Sequence, residues 1–289
     1  REPSDNYKVF EDQELHISCS TLFDAILVYQ TLGEEAKLAK LYHKEWIKKY
    51  NRVIYPLTSS STLSSSAAAN VEFASFEVLN DYLKKIAAFF VMDRQINRTT
   101  SYKLRTDTNS NDLWDLYMIK LKPVLIHYLK AHNLDVDDLT IFKDLVGNFL
   151  QVMETNEYKV TELYEVLMIV FKDYYAKELV AQFRLDFLEL IQLDHYMPLV
   201  VQDKQDYENV MKICWYKPGL LFAPQNVTSM PVSFPFSEDY VHYCLGVRLL
   251  IEDVISFILK HYGYDMNTLN NVIVNDIIEK VLGEEKGFG

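Results

Sequence analysis

Apolar residues recur at intervals of three and four along nearly every long segment of this chain, and this spacing constrains its fold more than any other feature. Such spacing places the apolar side chains on one face of an α-helix. One segment shows the series clearly: Phe76, Leu79, Leu83, Ile86, Ala87, Phe90 and Val91. The best strand candidate, Pro198–Gln202, is short and is interpreted as an extended connector. The pattern therefore predicts an all-α fold of antiparallel helical bundles.

Two domains are predicted from the breaks in this pattern. The first covers residues 1–155 and contains a Ser/Ala-rich loop at 58–70. Its small side chains cannot build a core, so this composition predicts a mobile loop. The second covers residues 156–289 and contains an aromatic and proline-bearing corner at 196–237. Within its longest helical run the apolar stripe changes phase, which predicts packing neighbours on both sides. That stripe is Leu163, Leu167, Val170 and Tyr174, followed by Val180, Phe183, Phe187 and Ile191.

The end of the corner, PVSFPFSEDYVHYC, carries the signals of a helix start. Ser237 is predicted as the N-cap, with its hydroxyl accepting a backbone N–H from the first turn. Glu238 and Asp239 follow where the helix dipole favours carboxylates. Phe236 is expected to pack against Val241 and fix the angle at which the chain enters the helix.

Charge and cysteine content exclude several classes of protein. The chain has 289 residues, 41 acidic against 29 basic, and a formal net charge of −12, which argues against nucleic acid or an anionic membrane as the main partner. Its three cysteines are far apart and form no C-x-x-C pair, as in reduced cytosolic proteins. No signal-peptide core or membrane-length apolar run occurs, so no membrane insertion is expected. The start without Met and the end just after a helical pattern predict a fragment.

Catalytic and metal-binding patterns are weak throughout. The close ligand pairs His16–Cys19, His127–His132 and His242–Cys244 lack a second pair at zinc spacing. The acids of Asp135–Asp138 lack the glycine and glutamate of a calcium loop and are better explained as first-turn charges of a helix. No nucleophile context occurs, and GEEKGFG at 283–289 follows a helix, which is the wrong setting for a phosphate loop. We therefore expect no enzyme, no cofactor and no metal.

One basic run is a candidate for partner binding: Arg94, Arg98, Lys103 and Arg105. Arg94 and Arg98 lie four residues apart and therefore on one helix face, where they could receive an acidic surface. The alternative is a solvated helix end, where cations are favoured by the helix dipole, and the pattern favours this second interpretation.

Five segments, taken in order, carry a resemblance to a known family. They are LFDAILVYQTLGEEAKLAKLYHKEWIKKYNRVIYPL, FEVLNDYLKKIAAFFVMDRQINRTT, NDLWDLYMIKLKPVL, DHYMPLVVQDKQDYENVMKICWY and FPFSEDYVHYCLGVRLLIEDVISFI. They cover nearly the whole chain, although the Ser/Ala loop has no counterpart. Together they resemble the Sec-fifteen subunits of the exocyst, the octameric complex that tethers secretory vesicles to the plasma membrane.

The resemblance implies an elongated rod of tandem helical bundles without catalytic residues. It implies assembly with sibling exocyst subunits, the Sec-ten subunit first among them. It also implies that the full protein is an effector of a GTP-bound Rab GTPase, through regions C-terminal to this fragment. The expected location is the cytoplasm, peripheral on secretory vesicles and at plasma-membrane sites of exocytosis. In such a rod the corner at 196–237 would set the angle between successive bundles.

Two other classes stay open at this point. A helical scaffold subunit of another membrane-trafficking tether or adaptor would show the same packing pattern. An enzyme is the more distant alternative, because no catalytic constellation is visible in the sequence.

Overall fold

The computed structural model describes residues 19–54, 73–193, 197–214 and 230–282. The chain divides into two compact units, Arg1–Val170 and Phe171–Gly289. The predicted domain boundary after residue 155 lies upstream of this division and remains a prediction. The Ser/Ala loop at 58–70 lies outside the described residues.

The first unit is built of six helices within its described residues. These are α1 (Ser20–Thr31), α2 (Glu35–Val53), α3 (Phe76–Thr99), α4 (Asp107–Ala131), α5 (Val136–Thr155) and α6 (Thr161–Ile169). Helices α1 and α2 form a hairpin, and Gly33 between them has a positive φ of 70°, which favours glycine. Helix α3 packs against α2, α4 and α5.

The second unit begins in a π-helical turn, Val170–Tyr175. Its other elements are α7 (Ala176–Leu193), β1 (Val200–Val201), α8 (Lys204–Cys214), β2 (Val232–Ser233), α9 (Glu238–Ile258), α10 (Met266–Val272), a second π-helical turn (Ile273–Ile278) and α11 (Glu279–Leu282). Helix α9 packs against α7 and α8. The all-α prediction is confirmed.

Side-chain caps explain where three helices of the first unit begin. Ser75 accepts from the amide of Val78 at the start of α3. Thr106 forms a reciprocal capping box with Asn109 at the start of α4. Asp135 accepts from the amide of Asp138 at 2.8 Å, so this acid acts as a cap of α5.

Pro123 lies inside α4, which extends as one helix from Asp107 to Ala131. A proline is disfavoured inside a helix because it lacks an amide donor, yet no new helix starts at this one. The connection between α3 and α4 is short, because α3 continues to Thr99 and α4 begins at Asp107.

Aromatic rings fill the core of the first unit. Phe90 on α3 has no exposed surface and makes edge-on contacts with Trp114 at 5.0 Å and with Tyr158 at 5.5 Å. The Trp114 indole donates to the Lys159 carbonyl, and the Tyr158 hydroxyl donates to the Phe90 carbonyl. The polar ends of these two rings are therefore satisfied within the core, as burial requires.

The first π-helical turn explains the phase shift of the apolar stripe. A π-helical turn holds an extra residue compared with an α-helical one, so the face that is buried rotates along the sequence. Within this turn Phe171 and Tyr175 are buried, whereas Tyr174 of the predicted stripe is half-buried. Tyr175 stacks on Phe257 of α9 at 3.7 Å. These rings and Tyr262 form the aromatic core of the second unit.

The ends of the predicted corner meet in a short antiparallel pairing. Val200 pairs with Ser233 and Val201 with Val232, so the segment interpreted as a connector contains a two-residue strand. Ser237 is the N-cap residue of α9 with an extended backbone, but its side chain makes no capping hydrogen bond. Phe236 lies against the rings of Phe234 and Tyr240. Residues 194–196 and 215–229 of the corner lie outside the described residues.

Candidate interaction surfaces

Two of the four residues of the basic run, Arg94 and Arg105, are buried. Arg105 has no exposed side-chain surface and pairs at 3.0 Å with Asp93, which is equally buried. Ser110 donates to the other oxygen of Asp93 at 2.6 Å. Burial raises the pKa of the Asp93 carboxyl although Arg105 and Ser110 lower it.

Arg94 is also buried, with 4% of its side chain exposed. Its guanidinium lies 4.1 Å from the centre of the Tyr158 ring and donates to the Asn111 side chain at 2.6 Å. Arg98 is 45% exposed and pairs at 2.6 Å with Glu157, and Lys103 is exposed. Only Arg98 and Lys103 are therefore placed to meet an acidic partner directly, and the binding role of the four residues remains a prediction.

Two of the three candidate ligand pairs, His127–His132 and His242–Cys244, lie within the described residues. Across the described ranges, no three His, Cys, Asp or Glu side chains lie close enough together to hold a metal ion. His132 stacks on Tyr128 at 4.2 Å. His242 lies 4.0 Å from Asp239, whereas Cys244 shares a hydrogen bond with Cys214, so the two members of this pair face different partners. His16 lies outside the described residues.

A long apolar groove, which the sequence did not indicate, runs between α7 and α9 in the second unit. The helices are antiparallel, because Tyr175 lies beside Phe257 and Phe187 lies beside Tyr243 at 4.8 Å. The groove has a volume of about 390 Å³. Its lining residues are Leu179, Gln182, Phe183, Asp186, Phe187 and Leu190 on α7, and His242, Tyr243, Gly246, Leu249, Leu250 and Asp253 on α9.

Gly246 gives the groove its depth at the centre. A Cβ atom at this position would meet Phe183 at 3.4 Å, so a larger side chain here would fill the space between the two helices. Phe183, Phe187 and Tyr243 form the aromatic floor, and each is half-buried. Leu249, at the edge, is 51% exposed. The surface can therefore accept apolar side chains from outside the unit.

The sequence carried only an indirect signal for this groove. All six α7 lining residues fall in the half of the run that follows the phase shift. Periodicity marks residues that face an apolar neighbour, but it does not say whether that neighbour lies in the same chain. Phe183 and Phe187 were therefore predicted to be core residues.

The helices of the described ranges carry no stretch long and apolar enough to cross a membrane. The described part of the chain defines an all-α helical bundle protein with an exposed apolar groove.

Comparison with known proteins finds similarity to exocyst subunits. A family model described as "Exocyst complex subunit Sec15 C-terminal" matches residues 162–284. The chain is similar to yeast (Saccharomyces cerevisiae) exocyst complex component SEC15, with 28% identity over 293 residues, covering 89% of this chain and 32% of the relative. It is 25% identical to Caenorhabditis elegans exocyst complex component 6 over 245 residues, covering 81% of this chain and 27% of the relative. The human protein of that name is 23% identical over 245 residues, covering 83% and 28%.

Residues 162–284 match the C-terminal model of Sec15-type exocyst subunits, and most of the chain is similar to proteins named as such subunits. It spans about a third of the length of the curated relatives it matches. No solved structure matches it significantly.

Proposed function

We propose that this chain is a non-enzymatic scaffold segment of an exocyst subunit that helps to tether secretory vesicles to the plasma membrane before fusion. The observation that carries the proposal is the similarity of most of the chain to relatives named as exocyst components. The all-helical build and the exposed apolar groove support a role in binding other proteins. The sibling proposed as the first partner is the Sec-ten subunit.

Co-purification of the whole protein tests the assignment. The protein is tagged at its native locus, isolated under mild conditions, and its partners are identified by mass spectrometry. We expect to recover the other exocyst subunits in near-equal amounts. An identically tagged coat subunit is the control, and it should recover none of them. Recovery with Golgi or coat components alone would favour the alternative, a scaffold of another tether or adaptor.

We further propose that the whole protein is an effector of a GTP-bound Rab GTPase, through regions C-terminal to these residues. An effector reads switch segments that are ordered only by the γ-phosphate, so its binding depends on the bound nucleotide. Residues 1–289 are expected to bind weakly or not at all, and a chain extended toward the C-terminus to bind selectively. Because the C-terminal family model begins at residue 162, the second unit is the part to test.

The measurement is a titration of both chains against the Rab loaded with a GTP analogue or with GDP. Tight binding of residues 1–289 to the GTP form alone would contradict the proposed C-terminal location and would place the Rab-binding surface within these residues. Equal binding of the extended chain to both nucleotide forms would contradict the effector role.

A further inference from the structure

We propose that the groove between α7 and α9 binds an amphipathic helix of a partner protein, with an apolar face flanked by lysine or arginine side chains. This inference deepens the proposed scaffold role by naming the chemistry of one partner. It depends on that role only in requiring an accessible partner, since the groove is a feature of the second unit itself.

The length of the groove matches a helix better than a small molecule. On each of the two helices the lining extends over eleven residue steps, from Leu179 to Leu190 and from His242 to Asp253. At a rise of about 1.5 Å per residue this is roughly 16 Å, or about three helical turns. Two antiparallel helices present ridges between which a third helix can place its apolar side chains.

The apolar surface continues beyond the groove lining on α9 at Leu245, which is 39% exposed. Leu245 lies four residues before Leu249, a lining residue that is 51% exposed, so the two share one face and an incoming helix would cover both. An apolar surface that is this continuous is typical of protein-binding sites.

The charged residues around the groove indicate which side chains should lie beside the apolar face of the partner helix. Helix α7 has three acidic residues and two cations, and α9 has four acidic residues and one cation. All three cations are engaged elsewhere: Lys177 pairs with Asp173, Arg184 donates to the Lys280 carbonyl, and Arg248 donates to the Lys212 carbonyl.

The groove lining contains two carboxylates, Asp186 and Asp253. Among the described residues, neither of them pairs with a lysine or arginine side chain. Asp186 accepts a hydrogen bond from the Gln182 amide at 2.8 Å. Burial and the neighbouring Glu252 raise the pKa of Asp253, as expected for a carboxylate without a cation beside it. Lysine or arginine side chains on both edges of a bound helix would supply the missing charge.

A designed peptide tests the proposal. The probe is a fluorescein-labelled helical peptide of about three to five turns with leucines along one face and lysines on both flanks, titrated with residues 1–289 by fluorescence anisotropy. A peptide with glutamates in place of the lysines, and a scrambled lysine peptide, are the controls. We expect saturable binding of the lysine peptide alone, weakened by salt.

Two sets of variants locate the binding. Gly246→Leu fills the groove without changing charge and should abolish binding, whereas Gly263→Leu, outside the groove, should not. Asp186→Asn with Asp253→Asn should weaken binding about three- to tenfold at low salt, as expected for two exposed ion pairs. Glu178→Gln with Glu238→Gln removes two acids of the same helices outside the lining and should have less effect. Circular dichroism melts establish that each variant is folded.

Three results would overturn the proposal: no saturable binding of the lysine peptide, equal binding of the glutamate peptide, or unchanged binding by a folded Gly246→Leu variant. Self-association of the chain that Gly246→Leu abolishes would assign the groove to a second copy instead. None of these results affects the co-purification test, so the scaffold assignment stands or fails separately.

Discussion

Removing Arg105 should destabilise the first unit strongly, because it leaves the Asp93 carboxylate buried without its cation. Both side chains are fully buried, and their atoms lie 3.0 Å apart. Breaking such a pair by removing one partner costs about 3–5 kcal/mol. The substitution Arg105→Met keeps much of the side-chain volume, so most of this loss comes from the uncompensated charge. We expect the free energy of unfolding to fall by about 3–5 kcal/mol.

A second substitution separates charge from packing. Asp93→Asn removes the negative charge but keeps an oxygen that can accept from Ser110, which donates to Asp93 at 2.6 Å. The double variant Asp93→Asn with Arg105→Met should therefore be about 2 kcal/mol more stable than Arg105→Met alone, because it buries no unpaired charge. Asp93→Asn alone should destabilise, since it leaves Arg105 buried without a carboxylate.

The pH dependence of the Arg105→Met variant follows from the direction of the Asp93 shift. Burial raises the pKa of Asp93 in the folded parent, and Arg105 lowers it. Without Arg105 the folded-state pKa rises further, so the folded chain keeps a proton that the unfolded chain has already released. The unfolding free energy should then fall as pH rises from about 3.9, the ordinary carboxyl pKa, through the folded-state value. The double variant should lack this dependence.

Urea unfolding followed by tryptophan emission measures these effects, because Trp46 and Trp114 are both buried in the first unit. Lys48→Met is the control, because Lys48 and its partner Glu45 are both mostly exposed. The urea midpoint of this variant should match that of the parent. A loss below about 1 kcal/mol for Arg105→Met, or a double variant no more stable than the single one, would refute the reasoning.

Three further predictions concern other parts of the chain. Phe257→Ala should cost about 3–5 kcal/mol in the second unit, because this 3% exposed ring stacks on Tyr175; thermal melts check it, and Leu259→Ala at 78% exposure should leave them unchanged. Asp135→Ala should cost about 1 kcal/mol through the lost cap of α5; an unchanged urea midpoint would contradict this. Cys214 should be alkylated slowly at pH 8, because burial and its neighbour Cys244 raise its pKa to about 12; rapid modification seen by mass spectrometry would exclude that environment.

Sequence reasoning predicted the long helices of the first unit because an apolar stripe is buried along helices such as α3. The residues Leu79, Leu83, Ile86 and Phe90 of the predicted stripe on α3 are all fully buried. The N-terminal signals were less reliable, since Ser237 occupies the predicted N-cap position without making the expected hydrogen bond. A cap depends on the orientation of one hydroxyl, whereas a stripe depends on many side chains together.

The basic run was harder to interpret because charge alone does not report burial. Arg94 and Arg105 look like surface cations in the sequence, yet each is buried beside groups from distant positions. The partners of Arg94 include Tyr158, sixty-four positions away, and no local pattern joins the two. An arginine is retained in a core when its guanidinium meets a carboxylate or an aromatic face, and those contacts exist only once the helices have packed.

The same reasoning explains why the groove between α7 and α9 was missed. Phe183 and Phe187 have the spacing of core residues, and they do contact Tyr243 of α9. The rest of their surface stays accessible because Gly246 has no side chain. A Cβ atom at that position would contact Phe183 at 3.4 Å. A helix that packs against only one neighbour on that side keeps an apolar face that a second helix can cover. The absence of a side chain at Gly246 therefore indicates the proposed binding groove as clearly as the large rings of Phe183 and Phe187 do.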